Sequence, residues 1–145
     1  MFRHILIPTD GSELSYKAVC AGVEFAREIG ARVTAYHALP RAYVPASALD
    51  REMHARYEAR ARELGESALQ VVADTANRSG VRCDVALDAP DSAYEGVVAA
   101  AHARGCDLIY LASHGRTGGP VQILGSVAQK VVALSGVPVL VFRTS

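Results

Sequence analysis

The chain has 145 residues, half of them apolar, and its 15 basic and 15 acidic side chains cancel to a formal net charge of zero. This length predicts one domain over residues 1–145, large enough to fold without a metal or a disulfide. Zero net charge argues against a dedicated nucleic-acid surface, and no apolar run approaches the ~20 residues that a membrane span needs. We therefore expect neither a nucleic acid nor a membrane as a partner.

The first residues and the cysteines predict the compartment. Met1 leads directly into a strand pattern, without the apolar region and cleavage site of a secretory signal. Cys20, Cys83 and Cys106 are widely spaced and form no C-x-x-C pair, which argues against a disulfide framework and against a zinc site. We expect a cytoplasmic protein with reduced thiols.

The first half of the chain predicts two strands, each followed by a helix. An apolar strand spans His4 to Thr9, and the turn Asp10-Gly11-Ser12 separates it from a helix with a stripe of Leu14, Ala18, Ala21, Phe25 and Ile29. A second strand spans Arg32 to Ala38. A long amphipathic helix then runs from Ser47 to about Ser79, and its apolar side contains Leu49, Met53, Tyr57, Ala61, Leu64, Ala68, Val71 or Val72, and Thr75.

The second half predicts three more strands. The strand over residues 82–87 is polar enough for a sheet edge. The next helix begins near Ser92, which has capping-box spacing to Glu95, and its buried side holds Tyr94, Val97, Val98 and Ala101. A buried strand follows over 108–112, then a helix over 126–135, and finally an apolar strand over 137–142.

This alternation predicts an α/β fold with an open five-stranded parallel sheet and helices on both faces. The first and fourth strands are the most apolar and belong in the centre, so we predict the order 3-2-1-4-5. The winding direction reverses between strands one and four, and ligands bind beyond the carboxyl ends of such sheets at that point. The turn after Thr9 and the loop Ser113-His114-Gly115 should therefore face each other there.

The stretch after the fourth strand has the composition of a phosphate-binding loop. A Walker A sequence is absent, and G-x-G-x-x-G is absent after the first strand. The sequence instead has a small residue and a glycine, Ala112 and Gly115, then nine residues, then Gly125-Ser126 at the start of a helix. Glycines let a phosphate approach the backbone, and a helix N-terminus offers free N–H groups and a positive dipole end.

At this point the sequence resembles the universal stress protein family, whose nucleotide-binding members carry G-x-x-G, nine residues and then G-S or G-T. The resemblance extends over the whole chain, and the segments that carry it are 5–12, Ser113 to Arg116, Gly125-Ser126 and 137–141. It implies an adenine nucleotide alpha-hydrolase-like, or Rossmann-like, fold and a stress-response or signalling protein that binds ATP, or AMP or ADP.

The resemblance also implies roles for individual residues. Asp10 would reach the ribose or a phosphate-bound metal such as Mg²⁺, and the backbone near Ala38 would face the adenine edge. Gly115, Gly125 and Ser126 would hold the phosphates, and Arg116 could add a cationic contact. The implied ligand-binding set is Pro8, Thr9, Asp10, Ala38, Ala112, Ser113, His114, Gly115, Arg116, Gly125, Ser126 and Val127.

Several alternatives stay open at this level. Ala112 replaces the first glycine of the motif, and the glycines could serve turns alone, which would make the chain a nucleotide-free dimeric interaction module. Asp10 could simply cap the first helix. His114 could contact phosphate, but a hydrogen bond that fixes the loop is the favoured reading. Because an efficient phosphoryl-transfer site needs a basic clamp and a clear metal pair, we expect slow ATP hydrolysis at most.

The last strand predicts an assembly. Residues 139–142 are apolar on both faces, yet the predicted order places them at a sheet edge. Long apolar edges invite pairing with another chain. We therefore expect a homodimer through residues 137–142, which the resemblance also suggests.

Overall fold

A parallel sheet of five strands forms the centre of the chain in its computed structural model, which describes residues 1–41, 47–115 and 123–143. Strands and helices alternate through these ranges. Their bounds are β1 His4–Pro8, α1 Glu13–Ile29, β2 Arg32–Ala38, α2 Ala48–Arg78, β3 Cys83–Asp88, α3 Ala93–Ala103, β4 Leu108–Ala112, α4 Ser126–Leu134 and β5 Val139–Phe142. The α/β fold class is thus confirmed.

The strand order is β3-β2-β1-β4-β5, as predicted, and every neighbouring pair is parallel. Ile5 of β1 is in register with Val33 of β2 on one side and with Leu108 of β4 on the other. The chain leaves β1 toward β2 and β3 and later returns to the other side of β1. The carboxyl ends of β1 and β4 therefore border the point where the winding direction reverses.

The side chains of β1 alternate between two hydrophobic clusters, one on each face of the sheet. Ile5 and Ile7 pack with Val19 and Val23 of α1 and with residues of α2. Leu6 packs on the opposite face with residues of α3 and α4. Burial of a large aliphatic side chain stabilises a fold by about 1.5–3 kcal/mol. A strand that is buried on both faces therefore holds both helical layers in place.

Helix α1 begins and ends as its sequence predicts. Ser12 is its N-cap, and the Ser12 hydroxyl oxygen accepts a hydrogen bond from Ser15 N–H at 3.1 Å. Gly30 ends the helix in the left-handed conformation, with φ of 72°. The alternative in which Asp10 is the N-cap of α1 is wrong, because Ser12 occupies that position. The Asp10 carboxylate accepts a hydrogen bond from Ser12 N–H instead.

The predicted capping box of α3 is wrong as well. Ser92 is the N-cap residue, but its side chain makes no capping hydrogen bond, and its hydroxyl has no partner within the described ranges. Glu95 instead accepts a hydrogen bond from the hydroxyl of Tyr94 at 3.2 Å. The Glu95 carboxylate therefore bonds to the Tyr94 hydroxyl and not to the backbone N–H of Ser92, as a capping box would require.

The apolar side of α2 is buried only in its second half. Leu49, Met53 and Tyr57 are 68 %, 62 % and 61 % exposed, whereas the buried residues of the helix lie between Gly65 and Ala76. A helix of 31 residues is about 46 Å long, but the seven residues of β2 span only about 23 Å. The first half of α2 therefore extends beyond the sheet, and only the second half of the apolar side named from the sequence packs against it.

Other boundaries differ by one or two residues. Strand β3 is shifted by one residue toward the C-terminus, α4 ends at Leu134, and β5 begins at Val139 instead of residue 137. Before β5, the Ser135 hydroxyl lies within hydrogen-bond distance of both the N–H and the carbonyl of Val137. This local turn, followed by Pro138 with no N–H to donate, delays the strand. In the parts of the chain that the structure describes, no helix has both the length and the apolar character to cross a membrane.

Candidate functional site

A cavity of about 380 Å³ lies at the carboxyl end of the sheet, where the winding direction reverses. The ends of β1, β2 and β4 form its floor, and the first turns of α3 and α4 form its walls. The predicted binding residues that line it are Pro8, Thr9, Asp10, Ala38, Ala112, Ser113, His114, Gly115, Gly125, Ser126 and Val127. Arg116 lies outside the described residues.

The cavity is also lined by residues that the sequence reading missed, among them Ser15, Leu111 and Ala128. Tyr36 and His37 come from the end of β2, and Ala93 and Val97 come from one side of α3. Tyr36 precedes Ala38 by two positions and therefore lies on the same face of the strand. That alternation could have identified Tyr36 from the sequence.

The β1 side of the cavity is a network of short polar side chains. Thr9 Oγ1 accepts hydrogen bonds from Gly11 N–H at 3.1 Å and from the Ser15 hydroxyl at 3.0 Å. Asp10 Oδ1 accepts from Ser12 N–H at 2.9 Å. These bonds fix the turn between β1 and α1, and with it the direction of the Asp10 carboxylate.

Gly115 brings the loop after β4 against this turn. A Cβ atom on Gly115 would lie 2.6 Å from Asp10 Oδ2, closer than real Cβ contacts allow. The glycine therefore permits the carboxylate and the loop backbone to share one side of the cavity. The sequence prediction that these two loops face each other agrees with this arrangement.

The start of α4 forms the opposite wall. Gly125 is its N-cap and has no side chain to accept a hydrogen bond, and the first helical bond runs from Gln129 N–H to the Gly125 carbonyl at 2.9 Å. The preceding N–H groups of the first turn, from Ser126 to Ala128, donate to no described residue. Such a helix end suits an anionic group, because free N–H groups and the helix dipole act together.

A main-chain hydrogen bond joins this helix to the loop after β4. Gly125 N–H donates to the Ser113 carbonyl at 2.7 Å, and a Cβ on Gly125 would lie 3.1 Å from that carbonyl oxygen. The Ser113 side chain is buried, and its hydroxyl lies 3.2 Å from His114 Nδ1. The glycine thus lets α4 begin directly against the loop.

The β2 side of the cavity contains two ring side chains with fixed orientations. The Tyr36 hydroxyl donates to Asp88 Oδ1 at 2.5 Å, and burial together with this carboxylate raises the pKa of Tyr36 far above its ordinary value. His37 Nδ1 lies 2.8 Å from the Thr9 carbonyl oxygen. Since a carbonyl only accepts, the His37 ring carries a hydrogen on Nδ1. Both rings are therefore structural parts of the cavity.

The side chains that line the cavity indicate what kind of metal site it could form. Within the described ranges, no group of three or more His, Cys, Asp or Glu residues is arranged to hold a metal ion. Asp10 is the carboxylate in the described lining of the cavity. Mg²⁺ commonly binds one or two carboxylates together with substrate phosphates and water. These residues fit a metal that arrives with a phosphorylated ligand, and they do not form a metal cage of their own.

Comparison with known proteins identifies the family. The profile of the Universal stress protein family matches residues 1–143. The chain belongs to the universal stress protein family. This universal stress protein is 30 % identical over 149 residues to universal stress protein YxiE of Bacillus subtilis, with 99 % of this chain and 100 % of YxiE covered. It is 32 % identical to universal stress protein MJ0531 of Methanocaldococcus jannaschii, with 99 % and 83 % covered.

Solved structures share the fold. Protein MJ0577 superimposes with a TM-score of 0.82 at 23 % identity, covering 100 % of this chain and 98 % of its own. A universal stress protein in complex with cAMP gives 0.75 at 22 % identity, with 99 % of each chain covered. The universal stress protein of Archaeoglobus fulgidus in complex with dAMP gives 0.62 at 18 % identity, with 97 % of each covered. These likenesses establish the architecture.

Proposed function

We propose that this universal stress protein binds an adenine nucleotide in the cavity between β1, β4 and α4. ATP is the leading candidate, with AMP and ADP as the alternatives. One observation carries the proposal: the uncapped start of α4 and the Gly115 loop lie at the same cavity as the fixed Asp10 carboxylate. Main-chain N–H groups that donate to an anion, next to a carboxylate that accepts from hydroxyl groups, suit a phosphorylated sugar.

In this proposal the ligand lies across the carboxyl ends of the strands. Gly115, Gly125 and Ser126 hold its phosphates with main-chain N–H groups. Asp10 accepts from the ribose hydroxyls or binds Mg²⁺ that accompanies the phosphates. The base lies toward Ala38, whose main chain offers hydrogen-bonding groups to the adenine edge. Pro8, Thr9, Ala112, Ser113, His114 and Val127 complete the contact surface, and Arg116 is a further candidate from outside the described residues.

Adenine is the proposed base because two solved universal stress proteins are described in complexes with cAMP and dAMP. Both ligands contain adenine, a sugar and one phosphate. We extend that ligand class to this chain on the strength of the family membership and of the cavity. The cellular role that we infer is a cytoplasmic stress-response or signalling function, in which ligand binding alters the contacts of the protein with itself or with others.

We expect at most slow ATP hydrolysis. Efficient phosphoryl transfer requires a positioned base and a basic clamp on the transferred group. The described lining of the cavity contains Asp10 as its carboxylate and contains no lysine or arginine. The proposal is therefore a binding function and not an efficient ATPase.

A second candidate is a nucleotide-free interaction module of the same family, favoured by the methyl group of Ala112 in the cavity lining. One experiment separates the two. Freshly purified protein is denatured, and the released nucleotide is identified by chromatography. ATP, ADP and AMP are then titrated calorimetrically into the stripped protein with and without Mg²⁺. Saturable binding of any of the three supports the proposal, and no binding at millimolar concentration supports the nucleotide-free module.

We also propose that the protein is a homodimer through residues 137–142. Strand β5 is an edge strand of the sheet, and its four residues are only partly buried. Leu134, at the end of α4, is 60 % exposed. Pairing with a second chain would cover this apolar surface and the open edge of the sheet.

A further inference from the structure

A second cavity lies between α1 and α2, on the opposite face of the sheet from α3 and α4. Its volume is about 370 Å³. The turn after β1, the start of α1 and the second half of α2 form its walls, and the lining residues are Thr9, Gly11, Ser12, Glu13, Tyr16, Val19, Ala68, Val71 and Val72. Small-molecule sites commonly have volumes of about 300–1,000 Å³. The second cavity is therefore large enough for a small ligand.

The inner part of the second cavity is apolar. Val19 and Val72 belong to the hydrophobic cluster on this face of the sheet and are 1 % and 0 % exposed. Ala68 beside them is also buried, and its side chain is a single methyl group. Unfilled apolar space deprives the surrounding atoms of dispersion contacts and destabilises a fold. An apolar ligand that occupied this space would restore those contacts.

The outer part of the second cavity is open to solvent. Tyr16 of α1 and Val71 of α2 are 43 % and 44 % exposed, and Glu13 is exposed at the start of α1. These three residues line the cavity together with the buried ones. A ligand in the cavity would therefore have one end in contact with the apolar interior and the other at this mouth.

The mouth of the second cavity carries a negative charge. Its described lining contains Glu13 and contains no lysine or arginine. Within the described ranges, the Glu13 carboxylate takes part in no ion pair, whereas Glu24, Glu52 and Glu63 each pair with an arginine. The ring of Tyr16 acts in the same direction, because the face of an aromatic ring attracts cations. This mouth therefore favours a cationic group.

The start of α1 does not reverse this preference. An acidic residue in the first turn stabilises a helix through the dipole, and Glu13 has that position. The dipole contributes roughly half a positive charge at a helix N-terminus, which is less than the full charge of a carboxylate. The net charge at the mouth therefore stays negative.

We propose that the second cavity binds a small primary amine with a compact apolar body, of the arylalkylamine class. The ammonium group lies at the mouth beside Glu13 and Tyr16, and the apolar body lies against Ala68 and the buried valines. Occupancy of this site does not depend on the proposed nucleotide function. Thr9 lines both cavities, so the amine lies against the same turn that holds Asp10.

Three probes of similar shape and different charge test the proposal. 2-Phenylethylamine, 2-phenylethanol and 3-phenylpropanoate are titrated at low salt into the unmodified protein and followed by ¹H–¹⁵N nuclear magnetic resonance. Saturable shifts should appear at residues 11–16 and 68–72 with millimolar amine. The amine should bind about threefold or more tightly than the alcohol, within the range of an exposed charge pair, and the carboxylate should bind most weakly.

Two substitutions assign the charge and the space to their residues. Glu13→Gln should bring amine and alcohol to within about twofold of each other while leaving the alcohol unchanged. Glu28→Gln is its control, because it removes an equal charge from α1 outside the cavity lining. Ala68→Leu should abolish binding of all three probes by filling the cavity. Ala61→Leu is its control, since residue 61 lies on the same helix and is not part of the lining.

Four results would overturn the inference. They are shifts that do not saturate, shifts confined to the lining of the cavity between β1, β4 and α4, an amine that binds no more tightly than the alcohol, and full binding by a folded Ala68→Leu variant. The titration of the unmodified protein decides the first three even if that variant does not fold. Failure of this protein to bind any adenine nucleotide would overturn the proposed function and leave the amine site standing.

Discussion

Asp10 and Gly115 are in direct apposition, since a Cβ atom on Gly115 would lie 2.6 Å from Asp10 Oδ2. The two residues follow the two strands that flank the reversal of the winding direction. A second contact holds the carboxylate in place, because Asp10 Oδ1 accepts a hydrogen bond from Ser12 N–H. A side chain at residue 115 must therefore displace the carboxylate, the loop or both.

Gly115→Ala tests this apposition. The added methyl group should move the Asp10 carboxylate away from the ligand and weaken nucleotide binding by about tenfold or more, the usual effect of losing a charged hydrogen bond. Gly136→Ala is the matched control, because a Cβ at Gly136 meets nothing within 4 Å. Both affinities are measured by calorimetry. Equal affinities in the two variants would contradict the role of Asp10.

Gly125→Val tests the proposed phosphate site at the start of α4. A Cβ at this residue would already lie 3.1 Å from the Ser113 carbonyl, and the branched side chain would crowd the start of α4. We expect nucleotide binding to be lost while the circular dichroism spectrum stays that of the unmodified protein. Gly136→Val serves as the control for the substitution itself. Unchanged affinity in Gly125→Val would exclude Gly125 and Ser126 as the phosphate site.

The stability of the fold should depend on His4 below neutral pH. Burial, and after it the charge of Arg32, lowers the pKa of His4 below its ordinary value of 6.5. Nε2 lies 2.6 Å from Thr34 Oγ1 in the neutral ring. The unfolded chain thus takes up a proton near pH 6.5 that the folded chain refuses until a lower pH. The contribution of His4 is therefore fully present above pH 6.5 and is lost as the pH falls toward its folded pKa.

Urea unfolding at pH 7.5 and at pH 5.5 measures this effect. The free energy of unfolding should fall between the two pH values, and the fall should be smaller in His4→Gln, which cannot titrate. His102→Gln is the control, because His102 is exposed on α3. Identical pH dependence in His4→Gln and the unmodified protein would show that His4 does not carry it.

Gly65→Ala should destabilise the fold, although alanine is normally the better helix residue by ~1 kcal/mol. A Cβ on Gly65 would lie 2.6 Å from Cδ2 of His37, which is itself held to the Thr9 carbonyl. We expect a loss of about 1–3 kcal/mol, the usual effect of overpacking. In a His37→Ala background the same substitution should stabilise the helix. Urea unfolding of the four proteins tests this, and stabilisation of the single variant would contradict the contact.

Val141→Lys should convert the proposed homodimer into a monomer, because a charged side chain on the edge strand disfavours pairing. Val85→Lys is the matched control, since Val85 lies on β3, the opposite edge of the sheet. Light scattering during size-exclusion chromatography gives the mass of each variant. A dimer that survives Val141→Lys would count against an interface at β5.

The fold was predictable because local and long-range signals agree. Strands β1 and β4 are apolar on both faces and occupy the centre of the sheet, whereas polar β3 lies at an edge. The position of the cavity followed from the reversal of the winding direction next to β1. Most of its lining residues followed from the family resemblance. The Asp10 turn and Gly125 followed from sequence because their spacing along the chain determines where they lie.

Features that depend on the lengths and packing of distant elements were not predictable. The periodicity of α2 predicts an apolar side but cannot reveal that the helix is longer than the strands beneath it, so it does not show that only the second half of that side is buried. The spacing of Ser92 and Glu95 predicts a capping box, but Tyr94 takes up the carboxylate. Within the described residues, His114 Nε2 has no hydrogen-bond partner. That depends on which atoms surround the buried ring, and no sequence pattern encodes that environment.

Because the first half of α2 extends beyond the sheet, the two halves of this helix differ in local stability. Its second half is anchored by buried residues such as Leu69 and Val72, whereas the turns around Met53 and Tyr57 have little tertiary support. Isolated helical turns in water are marginal, and regions with few buried contacts open without global unfolding. Amide hydrogens near residues 50–60 should therefore exchange with deuterium long before those near residues 68–76. The cooperative unfolding unit of the domain begins part-way along this helix.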